Sequence, residues 1–87
     1  MKHAGQAALK GIEPLLFKLR HCAQLIERTP GSFYLRSKAY LHFHEDVSGV
    51  FADVKLDHVN FERFRVTTKR EQARLLSLVT GNLRKQG

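Results

Sequence analysis

The sequence has no tryptophan, one cysteine, one methionine and two prolines. A lone cysteine, Cys22, excludes an intramolecular disulfide and a cysteine cluster for zinc, and it fits a reducing, cytoplasmic setting. Acids are scarce as well: eight Asp and Glu stand against fifteen Lys and Arg, a net charge of +7. No apolar run approaches the ~20 residues of a membrane helix. The opening MKHAGQAALKGIEPLL lacks the unbroken apolar core of a signal peptide. Neither a membrane partner nor secretion is therefore expected. G-x-S-x-G, a phosphate-binding glycine loop and H-E-x-x-H are also missing, so the sequence reads as a non-enzymatic protein without a cofactor.

What is present suffices for one small folded domain. The chain has 87 residues, 43% of them hydrophobic, which argues against disorder. A chain of this size buries only ~60–65% of its unfolded surface, so its margin of stability is thin. The positive charge favours an anionic partner, nucleic acid above all, and also promotes plain solubility.

Residues 1–11 are small and polar with two glycines and read as an N-terminal arm or a short, loosely attached helix, with the domain proper spanning 12–87. In IEPLLFKLRHCAQLIERT, Ile12, Leu15, Leu16, Leu19, Cys22, Ala23 and Ile26 recur at three- and four-residue steps, the pattern of one helical face. Pro14 suits the first turn. Pro30–Gly31 then marks a type II turn. From Phe33 to His44 apolar and polar residues alternate strictly, the signature of a half-buried strand. A hairpin within residues 36–39 would split this stretch. Neither Ser37 nor Lys38 is a favoured residue for a tight turn, so one long strand is the preferred reading. VFADVKL and FERFRVT alternate again and give two further strands. Thr68 and Glu71 form a capping box ahead of a helix with Ala73, Leu75, Leu76, Val79 and Leu83 on its apolar face, and Gly81 is a candidate early end. The expected fold is thus two-layer α+β, ordered α-β-β-β-α. A three-stranded antiparallel meander, four-stranded if 36–39 turn, has both helices on one face.

The other face would be left bare. It would carry Tyr34, Arg36, Lys38, Tyr40, Phe51, Arg63 and Arg65, with His42, His44 and Asp53 among them. Rings interleaved with cations suit single-stranded nucleic acid, whose bases stack and whose phosphates need counter-charge, so RNA or single-stranded DNA is the first candidate partner. Exposed rings on an uncovered sheet suit a homodimer equally well. KAYLHFHED raises a third reading. His42 and His44 share a face, about 6.6 Å apart along the strand, and two imidazoles there are two ligands of a metal site. A third ligand is needed. Asp53 falls opposite His42 or His44 by parity, but also opposite Arg63 or Arg65, whose charge it would offset. His58 lies about 17–23 Å away by strand rise. His3 reads as a surface residue.

Overall fold

A computed structural model describes residues 1–85, and in it the sequence patterns become six strands and three helices. In chain order these are β1 (Lys2–His3), α1 (Gln6–Gly11), α2 (Glu13–Arg20), β2 (Leu25–Thr29), β3 (Ser32–Leu35), β4 (Lys38–Asp46), β5 (Gly49–Val54), β6 (Glu62–Arg65) and α3 (Lys69–Lys85). The strands form one antiparallel sheet in the order β2-β3-β4-β5-β6, a simple meander. β1 joins the edge of β4 beyond the end of β3, pairing Lys2 with Glu45 and His3 with His44.

The two-layer α+β arrangement follows from where the apolar stripes point. Leu15, Leu16 and Leu19 of α2 and Leu75, Val79 and Leu83 of α3 meet Phe33, Leu41, Phe43, Ala52 and Val54 in a single buried cluster. Burying each such side chain contributes roughly 1.5–3 kcal/mol, which decides the face on which the helices lie. Thr68 and Glu71 close the capping box on α3: the Glu71 N–H donates to Thr68 Oγ1 at 3.1 Å and the Thr68 N–H to Glu71 Oε1 at 2.9 Å. Gly81 does not end this helix, which continues to Lys85. Among the described residues no helix is long and apolar enough to cross a membrane.

Three sequence expectations need correction. First, the helix expected to run from Ile12 through Ile26 stops at Arg20, and Leu25–Thr29 is a strand. Leu25 is buried and Ile26 is 60% exposed, the two-residue period of a sheet, although Ile26 also satisfies the helical spacing and Leu25 falls off it. Arg20 fastens the change of direction. It donates to Glu13 on its own helix at 2.8 Å and to Glu27 on β2 at 2.6 Å, while Glu27 also accepts the Gly31 N–H at 2.9 Å.

Second, Phe33–His44 is not one strand. A two-residue turn at Arg36–Ser37 reverses the chain, pairing Leu35 with Lys38. Both turn residues lie in the left-handed region, φ 52° and 69°. That is the backbone of a type I′ turn, which glycine and asparagine adopt at far lower cost. Third, the register then slips by one: Tyr34 pairs with Ala39 but Phe33 with Leu41, so Tyr40 is an extra residue in β4. The turn alone would have sent Leu41 and Phe43 to the wrong face; the bulge restores them. Tyr40 is displaced inward, 2% exposed, where its hydroxyl donates to Asn82 Oδ1 of α3 at 2.7 Å. Burial pushes its pKa up to about 12.

Residues 1–11, read from sequence as an arm or a short helix, hold β1 and α1. Leu9 of α1 is buried, and a Cβ on Gly31 would stand 2.8 Å from its Cδ2. Gly31 carries φ 80°, as the third position of a type II turn requires.

Candidate metal centre

The open face owes its composition to alternation. With Leu41 and Phe43 fixed inward, His42 and His44 must face outward, and the ladder aligns His42 with Asp53 and then Arg63, and His44 with Phe51 and then Arg65. β1 adds a third histidine. The Ala4 N–H donates to the Phe43 carbonyl at 3.1 Å and the Gly5 N–H to Glu45 Oε2 at 2.6 Å. These two bonds hold the N-terminal segment against β4 and set His3 directly beside His44.

The three rings form one cluster. His3 stacks on His44 with centroids 4.7 Å apart, His42 meets His44 edge-on at 4.8 Å, and His3 lies 6.0 Å from His42. One ligand nitrogen from each can be chosen so that all three lie within 4.8 Å of one another. His42 Nδ1 and His44 Nε2 are 2.9 Å apart, so one ring donates and the other accepts. Two nitrogens bound to zinc at ~2.0–2.1 Å with tetrahedral angles stand about 3.3 Å apart. The His42–His44 pair is already near that separation, and His3 is the exposed member of the set.

One acid stands beside the cluster, and it is already paired with a cation. Asp53 is buried, 7% exposed, and Oδ2 lies 3.4 Å from His44 Nε2. Arg63 grips the same carboxylate with both arms, Nε to Oδ1 at 2.7 Å and Nη2 to Oδ2 at 2.8 Å. That bond, reinforced by the charge itself, holds the Asp53 carboxyl below its usual range and keeps it ionised. Burial lowers the pKa values of His42 and His44, outweighing the opposite pull of Asp53 on both. Their neutral form is the form that ligates metal. The Lys2 backbone favours the charged form of His44, yet Nδ1 of His44 is buried without a well-formed hydrogen bond. Phe61 closes one side, edge-on to His42 at 4.5 Å, with Lys55 Nζ 4.8 Å above its ring.

The remaining residues expected on this face are dispersed. Tyr34 is half-buried near the β2 edge beneath Arg28, whose guanidinium is 4.4 Å from the ring centre. Arg36 and Lys38 belong to the β3–β4 hairpin. Tyr40, expected among the exposed rings, is on the helix side for the reason given above. Phe51 is half-buried opposite His44. Arg63 is engaged by Asp53, and Arg65 by Glu71 at 3.0 Å and the Ser48 carbonyl at 3.1 Å. His3 is the member of the cluster that sequence reasoning passed over. A two-residue strand has no period to detect, and the Glu45 contact that seats it spans 40 positions of chain.

Fold and site together define a small α+β module with a three-histidine cluster on the open face of an antiparallel sheet. No family model, curated protein or solved structure matches the chain.

Proposed function

We propose that this protein is a metal-binding module that holds a divalent transition ion of the zinc type through His3, His42 and His44. The observation that carries the reading is the convergence of three imidazoles from two strands within 4.8 Å. Neutral imidazole suits zinc, nickel, copper and cobalt, whereas magnesium and calcium prefer oxygen ligands. Asp53, held ionised by Arg63, lies beside His44 and can accept a hydrogen bond from a metal-bound water. Three protein ligands leave a fourth position for water or an external group.

Zinc titration by calorimetry on chelator-treated protein tests this. One ion per chain is expected, with His3→Ala, His42→Ala and His44→Ala each weakening binding at least tenfold. Cobalt should give the intense visible bands of a tetrahedral site. His3→Ala binding zinc as tightly as the parent would overturn the reading, since His42 and His44 alone make only a weak two-ligand contact.

A further inference from the structure

A second feature lies on the other side of the sheet, between the helices, and it does not depend on the histidines. We propose that the groove between α2 and α3 receives an acidic amphipathic helix of a partner protein. The groove has a volume of about 330 Å³. Leu15, buried, and Leu76, half-buried, give it an apolar bed, and Pro14 and Ala73 are exposed beside them. Phe17 neighbours Pro14 at the i+3 position and is exposed, so apolar surface continues onto the outer side of α2. The Gln24 side chain donates to the Leu83 carbonyl at 3.1 Å, which clamps the segment after α2 to the far end of α3 and holds the two helices at a fixed spacing.

The charge around this bed has one sign. Lys18 and Lys69 flank it from the two helices, and neither ammonium group has a partner among the described residues. No acid among the described residues lines the groove. Glu13 and Glu71, the acids closest in the chain, are engaged elsewhere, by Arg20 at 2.8 Å and by Arg65 at 3.0 Å. Gln72, 9% exposed, makes one long side-chain bond, Nε2 to the Thr67 carbonyl at 3.5 Å, and keeps its second N–H for an acceptor. Lysine stems lie along apolar surface while their heads reach into water, so an apolar bed here has cationic banks. An occupant must match both, apolar along one stripe and acidic on its flanks. An amphipathic helix does so with anchors at i, i+3, i+4 and i+7, the same spacing that places Lys69, Gln72, Ala73 and Leu76 along the α3 side. No third element covers the exposed Pro14 and Ala73. A lone acyl chain there would keep one side in water, whereas a helix laid in the groove roofs it and buries its own stripe. Apolar contact then supplies the affinity, and charge supplies the choice of partner and the association rate.

The test is an amide-shift titration of isotope-labelled protein kept in EDTA, with synthetic peptides of about twenty residues, long enough to form a helix in water. One carries a leucine stripe flanked by glutamates, one has lysine in place of each glutamate, and one scrambles the acidic sequence. Saturable shifts confined to residues 14–18 and 69–76 are expected with the acidic striped peptide alone. Lys18→Glu with Lys69→Glu should weaken binding at least tenfold. Ala73→Gln, which fills the groove without changing charge, should do the same, and Lys38→Glu on the remote hairpin should leave binding unchanged. The proposal is overturned by no saturable shift with the acidic peptide, by equal binding of the lysine or scrambled peptide, or by undiminished binding in the groove variants. Sodium decanoate saturating the same residues more tightly than the peptide would assign a small amphiphile, and self-association in sedimentation that Ala73→Gln abolishes would assign a second copy; either overturns it too. Because chelator is present throughout, none of these results bears on zinc binding, and failure to bind zinc leaves this groove untouched.

Discussion

The two faces of the sheet are held by different physics. On the helix-covered face, Leu41, Phe43, Ala52 and Val54 are at most 3% exposed, and each is fixed by the removal of apolar surface from water. On the open face, His42, His44, Asp53 and Arg63 are fixed by directional contacts, an N···N bond of 2.9 Å and a two-armed ion pair. The first kind of order is strong and tolerant of chemical detail. The second contributes less to stability and depends on the identity of each atom, which is the condition for selective binding. The same strand, β4, carries both through simple alternation.

The largest effect should come from the covered face. Leu41→Ala removes a side chain 1% exposed, and such truncations cost about 2–5 kcal/mol through lost transfer energy and the cavity left behind. A domain this small has only about 5–15 kcal/mol to lose, so the urea midpoint should fall steeply or folding should fail. Phe51→Ala, on the open face, should cost well under half as much. Equal losses in urea melts of the two variants would mean that something covers the open face, and the comparison would collapse.

A middle-sized effect should come from the open face's own anchor. Asp53→Asn keeps the shape but surrenders the charge that Arg63 grips, a loss of about 1–2 kcal/mol because hydrogen bonds to charged partners are the stronger ones. The pH dependence gives this a sign. The folded-state pKa of Asp53 is depressed below 3.8, chiefly by its hydrogen bond to Arg63, so its contribution is complete above that value and disappears as pH falls through the lower, folded one. Parent and variant should therefore differ most near neutrality and converge in strong acid. Thermal melts across that range check it; a gap that is constant with pH would show that charge is not what Asp53 contributes.

The same division governs what could be read in advance. Leu15, Leu16 and Leu19, then Leu75, Val79 and Leu83, and then the alternating residues of β5 and β6 announce themselves, because burial imposes a period on every element long enough to show one. β2 escaped because Cys22, Ala23 and Ile26 happen to continue the helical spacing of α2, although Leu25 falls off it. The β3–β4 reversal escaped because Arg36 and Ser37 take a backbone that normally advertises itself with glycine or asparagine. The bulge at Tyr40 is a single residue, and its effect is to cancel the parity error of the turn, so turn and bulge together imitate one uninterrupted strand. At the site, His42 and His44 were legible as a pair and Asp53 as their cross-strand neighbour. His3 was not, because contacts remote in sequence bring it there.

The smallest effect tests the seam between the faces. Tyr40 shares the covered side with Leu41 because the turn sets its parity and the bulge then adds Leu41 to the same face, yet it is anchored by a polar bond, Oη to Asn82 Oδ1 at 2.7 Å. Tyr40→Phe keeps the ring and its packing and leaves Asn82 Oδ1 without that donor. The cost should be about 1 kcal/mol, a drop in melting temperature of roughly 4–8 °C for a domain of this size. Asn82 also donates to the Leu56 carbonyl, so the change should loosen the segment after β5 and raise amide exchange around Leu56. Exchange at His42 and His44 should stay as it was, since the ladder with β5 holds them independently. Faster exchange at both ends of β4 would show that the bulge tensions the whole strand, and the two regions would then be one mechanical unit.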